Sequence, residues 1–281
     1  MSPKKKHMKK TIGILGGMGP EATVYLFNLI IKATAAGKDQ DHARILVWND
    51  PTVPPRTDAI FGLGPSPLPR LLAGVKVLER GGADLIVMPC LTAHYYAGRI
   101  AARSKLPLVN LIDESLREAK RRIPGLRKAG LLASSGTVQS GLFHKHYARG
   151  GIEVMAPEPA EQRAVMDAII GKEGIKAGFT TGRPRAVMVR AARRLVKRGA
   201  EAVIAGCTEV PLVLRPSDLD VPLIEPMGIA AAACLKKAGY KIKGENRNVE
   251  KIYRARRLAA RPVRPRPGRA PRLQGQKRTG R

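Results

Sequence analysis

The chain has 281 residues, 44% of them hydrophobic, which is enough for a substantial core in one large domain or two of ordinary size. Its 51 Lys and Arg against 22 Asp and Glu give a formal charge of +29. Three cysteines are too few for a disulfide framework and suit a reducing, cytoplasmic setting, and no apolar run approaches the roughly 20 residues of a bilayer span, so no membrane contact is expected.

In chain order, a basic N-terminal extension over residues 1–10, within which Met8 offers a second natural start, leads into a predicted strand at TIGILGG. Pro20 then opens a helix that carries Val24, Phe27 and Ile31 on one face and stops near Gly37. Strands follow at ARILVWND, ADLIVMPC and PLVNLID, with a helix that groups Leu71, Val75 and Leu78 between the first two. Four more strands are predicted at KAGLLASS, GIEVMAP, AEAVIAGC and VPLIEP. Alternation with helical patterns implies an α/β fold with mainly parallel sheets. Near the end, AAAACLKKAG reads as an alanine-rich helix in which Cys234 is packing. The stretch RLAARPVRPRPGRAPRLQGQKRTGR has no acid and no aromatic residue and is expected to be disordered. It is either a solvated extension or a nonspecific, salt-sensitive contact for nucleic acid or another polyanion. Removing residues 4–10 and 241–281 leaves 31 basic and 20 acidic residues, so the body is only moderately basic.

The chain also resembles itself. At an offset of 117, Gly13 falls on Gly130, Gly19 on Gly136, Leu78 on Leu195, Gly82 on Gly199, Ala83 on Ala200 and Cys90 on Cys207, while Asp84 meets Glu201. Two similar lobes related by a pseudo-twofold axis are therefore expected: residues 11–115 with 227–240, and residues 116–226, followed by the basic tail 241–281. Ligands of open α/β sheets gather beyond the carboxyl ends of the strands, where both cysteines lie. Facing lobes would bring the two thiols to one cleft from opposite sides.

Paired thiols suit inversion at a carbon acid such as the α-carbon of an amino acid, one removing a proton while the other supplies one on the opposite face. A free thiol is only a few per cent ionised at neutral pH, so the site must help. TAHYYAGRIAAR after Cys90 and TEVPLVL after Cys207 are expected to begin helices whose N–H groups favour a thiolate. Taken singly, each cysteine reads more readily as a small buried hydrophobe than as a catalyst; the paired placement favours catalysis.

The segments GILGGMGPEAT, NDPTVPPRTDAI, MPCLTAHYYA, GIKAG and AGCTEVPL, in this order, resemble the aspartate/glutamate racemase family over about residues 11–240, nearest its aspartate branch. That resemblance implies two α/β lobes, a cleft with one catalytic cysteine from each, no cofactor and no pyridoxal, a homodimer, and a small acidic amino acid as substrate. It makes Cys90 and Cys207 proton donor and acceptor, Arg56 the substrate-side arginine and Lys176 the family's lysine. Arg56 offers a bidentate fork for a carboxylate and Lys176 a point charge. Thr92, Ser134, Thr137 and Thr208, with the turn at Gly17 and Met18, are candidates to hold the α-carboxylate as enolate-like charge develops.

The chain departs from the family where Leu91 stands in place of the usual asparagine after the first cysteine, which opens an alternative: racemisation or isomerisation of another small carboxylate. Glu209 after GCT, where the glutamate branch has histidine, argues against that branch; Glu209 either orients the second site or favours a helix start. His94 either tunes Cys90 or is structural. GMGPEA formally fits a dinucleotide loop, but Asp50 lies about thirty residues beyond it rather than about twenty. No spacing of cysteines or histidines suggests a metal. A further alternative is a weakly catalytic body with a polyanion-binding tail.

Overall fold

In a computed structural model, residues 9–244 are described. The expectations for residues 1–8 and for the tail from 245 onward lie outside them. Two four-stranded parallel sheets organise the chain. The first contains β1 (Ile12–Gly16), β2 (Ile45–Asn49), β3 (Leu85–Val87) and β4 (Leu108–Val109) in the order β2-β1-β3-β4. With them run α1 (Pro20–Ala33), α2 (Arg56–Ile60), α3 (Leu68–Arg80), α4 (Ala97–Ala101) and α5 (Leu111–Arg122). The second sheet contains β5 (Lys128–Leu132), β6 (Glu153–Met155), β7 (Ala202–Ala205) and β8 (Leu223–Ile224), ordered β6-β5-β7-β8. Its helices are α6 (Ser135–Gln139), α7 (Leu142–Ala148), α8 (Pro159–Ile170), α9 (Arg183–Lys197) and α10 (Val210–Val213), after which α11 (Pro226–Lys237) packs back on α1 and α5.

All eight expected strands are present, and the second sheet repeats the strand order of the first. The repeat extends to individual hydrogen bonds. Asp84 Oδ2 accepts from the Thr11 N–H at 2.7 Å, while Glu201 Oε2 accepts from the Lys128 N–H at 3.0 Å, and these pairs are 117 residues apart. Each acid sits just past a glycine of positive φ, Gly82 at 81° and Gly199 at 100°, which turns α3 or α9 into the strand that carries a cysteine at its end. The match between β1 and β5 has a packing cause as well. A Cβ on Gly13 would lie 3.0 Å from that of Ala83, and one on Gly130 would lie 2.8 Å from that of Leu195 and 3.3 Å from that of Ala200.

One apolar cluster runs through both sheets, taking Ile12, Ile14 and Val87 from the first and Ala129, Leu131 and Ile204 from the second. Separate clusters back α3 and α9. Several local expectations need correction. The helix from Pro20 ends at Ala33, not near Gly37, and its Val24, Phe27 and Ile31 face outward while Ala22, Thr23, Leu26 and Ile30 are buried. PLVNLID contributes only a two-residue strand, because the Asn110 side chain accepts the Ile112 and Asp113 N–H groups and starts α5 there. The tail was expected from residue 241, yet Lys241 O accepts from the Ala35 N–H and the Lys243 N–H donates to Ala33 O. No helix among the described residues is long and apolar enough to cross a membrane.

Candidate active site

Both cysteines sit immediately beyond central strands, Cys90 after β3 and Cys207 after β7, at 6% and 8% exposure. They open into one cleft of about 540 Å³. Met18, Arg56, Leu91, Thr92, Ser134, Lys176, Thr208 and Glu209 line the same cleft. Of the site candidates named from the sequence, Gly17, Thr137 and His94 do not. Thr137 lies beneath, where its hydroxyl, that of Thr92 and that of Ser134 form a closed triangle with edges of 2.9, 2.9 and 3.1 Å. This triangle joins the two halves: Thr92 comes from the first and the others from α6 and its N-cap.

His94 spends both ring nitrogens on backbone groups. Its Nε2 accepts from the Leu111 N–H at 3.1 Å, so Nδ1 carries the proton and donates to the Cys90 carbonyl at 2.9 Å. Full burial lowers its pKa to about 4, against a smaller opposing pull from the Cys90 carbonyl, which keeps the ring neutral. It thereby fixes the backbone at Cys90 to the start of α5.

Arg56 opens α2. Its Nη1 donates to the Val53 and Pro54 carbonyls, each at 2.9 Å, and Nη2 to the Met18 carbonyl at 3.4 Å. These three bonds hold the head in place, and the buried Nε–H has no partner among the described residues. Lys176, on the 3₁₀ turn Ile175–Ala177, forms an ion pair with Glu209. Burial works to lower the lysine's pKa, but the facing Glu209 carboxylate, helped by the two cysteines, outweighs it and raises it.

The elements after the cysteines differ from expectation. Thr92–Tyr96 is a 3₁₀ turn, and α10 has only four residues and begins at Val210. Nor is the Cys207 thiol activated in the resting site. Burial first, then the Glu209 carboxylate, pushes its pKa well above the ordinary thiol value, and Lys176 opposes them only in part. The sulfur donates to Glu209 Oε2 at 2.8 Å, and Thr208 Oγ1 donates to the same oxygen at 3.1 Å.

Sequence reasoning missed one wall. Met166, Ile169 and Ile170 of α8 line the cleft together with Val53 and Thr57, and no motif marked them because an apolar helical stripe reads as ordinary core. The contact of α2 with α6 was also missed: a Cβ on Gly136 would lie 2.7 Å from Thr57 Oγ1.

A family model described as Asp/Glu/Hydantoin racemase matches residues 15–234. Among curated relatives, the broad specificity amino-acid racemase RacX of Bacillus subtilis (strain 168) is 27% identical over 231 residues, covering 81% of this chain and 95% of the relative. Among solved structures, aspartate racemase of Picrophilus torridus is 31% identical with a TM-score of 0.73, covering 87% of this chain and 98% of that one. An aspartate racemase homologue from Pyrococcus horikoshii is 26% identical with a TM-score of 0.67, covering 83% of this chain and 100% of that one. With two parallel sheets in the same order and a cysteine at the equivalent strand end of each, the chain belongs to the Asp/Glu/hydantoin racemase family, isomerases that work without pyridoxal phosphate.

Proposed function

We propose that the protein racemises a small acidic amino acid, aspartate first, by two-base proton transfer at the α-carbon. The observation that carries this reading is the opening of Cys90 and Cys207, from equivalent strand ends, into one cleft. One thiolate removes the α-hydrogen and the opposite thiol returns a proton to the other face. Arg56, its head anchored on the Val53, Pro54 and Met18 carbonyls, brings a positive charge to the cleft wall for a substrate carboxylate; the hydroxyls of Thr92, Ser134 and Thr208 and the turn at Met18 hold the remaining polar groups. Thr137 braces Thr92 and Ser134 from below. Donors fixed in advance stabilise the enolate-like charge more than the ground state. In deuterated water, the parent should lose chirality and gain α-deuterium on aspartate, whereas Cys90→Ser and Cys207→Ser should each slow exchange by about a thousandfold. No exchange on any acidic amino acid would refute the acidic-substrate reading.

A second reading is favoured by the apolar lining. Leu91, Met166 and Ile169 present no hydrogen-bonding group to a side-chain carboxylate, so the substrate's side chain is then uncharged or longer. Leu91→Asn distinguishes the two: it should raise the preference for aspartate over apolar amino acids by about tenfold, read as the ratio of kcat/KM values.

A homodimer is part of the same proposal, with the exposed stripe of Val24, Phe27 and Ile31 on α1 as the surface it would cover. Phe27→Glu should then give a monomer in sedimentation. A cytoplasmic site of action agrees with three free, buried thiols.

A further inference from the structure

The repeat of 117 residues breaks directly beside the reacting groups. Leu91 and Thr208 follow the two cysteines, and at the next position Thr92 corresponds to Glu209. Thr92 turns to the hydroxyls of Ser134 and Thr137. Glu209 instead turns to its own cysteine: one oxygen accepts from Cys207 Sγ at 2.8 Å, and the other is clamped by Lys176. The group is secluded, with Glu209 3% exposed. Among the described residues, the Cys90 sulfur has no such carboxylate partner.

A reaction that is symmetric about its carbon is therefore served by unequal sulfurs, and the carboxylate is the element that differs. We propose that Glu209, held by Lys176, is a positioning residue that aims the Cys207 thiol and takes over its proton when Cys207 must act as base. This rests on the racemase reading above. In the transfer the S–H bond breaks and a Glu209 O–H bond forms, leaving a thiolate and a neutral carboxyl. Lys176 remains an ammonium and faces the thiolate in place of the carboxylate. Net charge in the buried group is unchanged, so no ion enters or leaves and no outside base is needed. Without the carboxylate, the same thiolate would form only by sending a proton out of the cleft. Thr208, donating to the shared oxygen at 3.1 Å, keeps the carboxylate turned toward the sulfur.

The test is the pH dependence of iodoacetamide alkylation, read at the Cys207 peptide by mass spectrometry in the full chain. Glu209→Gln removes the negative charge while Lys176 stays, so the Cys207 midpoint should fall by about one pH unit or more. Lys176→Met removes the positive charge and should raise it. Glu209→Asp keeps the charge and should return the midpoint toward that of the parent. Opposite shifts show that both charges act on the sulfur; transfer of the proton to Glu209 further requires that kcat/KM of Glu209→Gln fall although its thiol ionises more readily, and an unchanged or raised kcat/KM would overturn it. Equal midpoints in all forms, or shifts of the same sign in Glu209→Gln and Lys176→Met, would overturn the proposal; should Glu209→Gln fail to fold, the Lys176→Met and Glu209→Asp midpoints decide it.

With a substrate that exchanges, Glu209→Gln should lower kcat/KM equally for both enantiomers, as an equilibrium constant of one requires. The limb of its pH profile should move with the alkylation midpoint. Absence of exchange in the parent would count against the racemase reading alone, because the thiol midpoints still judge Glu209.

Discussion

A methyl group added at Gly17 has nowhere to go. Its φ is +97°, and a Cβ built there would lie 2.1 Å from the Asp50 carbonyl oxygen. The strand β1 thus ends in a turn that lies directly on the loop after β2, and this places Met18 and Arg56 on one side of the cleft. Gly17→Ala should destabilise the fold by about 2 kcal/mol or more, measured by urea unfolding, with loss of activity from the displaced turn. At this scale the sequence was legible where a residue type is unusual for its place. Two cysteines at repeated positions, an arginine after paired prolines and a threonine within two residues of each thiol stand out against a background of Val, Ile and Ala. The ion pair of Lys176 with Glu209 was not legible, because 33 residues separate the partners and neither chain segment marks the other. Cys234 was read as packing and is fully buried in α11.

Helices show where periodicity is informative and where it is ambiguous. The stripe Leu71, Val75 and Leu78 of α3 is buried, as expected, because the opposite face is charged and only one choice exists. The sequence of α1, PEATVYLFNLIIKA, is apolar nearly all round. Its packing against α11 and β1 selects Leu26 and Ile30 for burial, a choice made by tertiary contacts rather than by hydropathy. At α11 the entry is marked by chemistry. Glu225 caps it, its two oxygens accepting from the Met227 and Gly228 N–H groups at 3.0 and 2.7 Å. Burial raises the carboxyl pKa from 4.5 to about 7, and the two N–H groups oppose this only partly. A raised carboxyl holds its proton in the fold, so its contribution to stability is fully present below pH 4.5 and is lost as pH rises through 7. Over that window the loss is at most about 3 kcal/mol, and Glu225→Gln should flatten it, as judged by melting curves at pH 5 and pH 8.

Across the whole molecule, eight strands and the duplication could be read from the chain because they rest on short apolar runs and on glycines that helix and strand packing requires. The asymmetry of the cleft could not, since it depends on α8 reaching over the second sheet and on Glu209 facing Lys176. The duplication is geometrically close, down to the acid that ties each cysteine-bearing strand to its neighbour, yet the apolar cluster ignores the boundary between the two sheets. Ile12 and Ile14 share it with Ala129, Leu131 and Ile204, so either half standing by itself would leave that surface wet. Calorimetry should accordingly show one endotherm rather than two, since neither copy keeps its interior once its twin has melted.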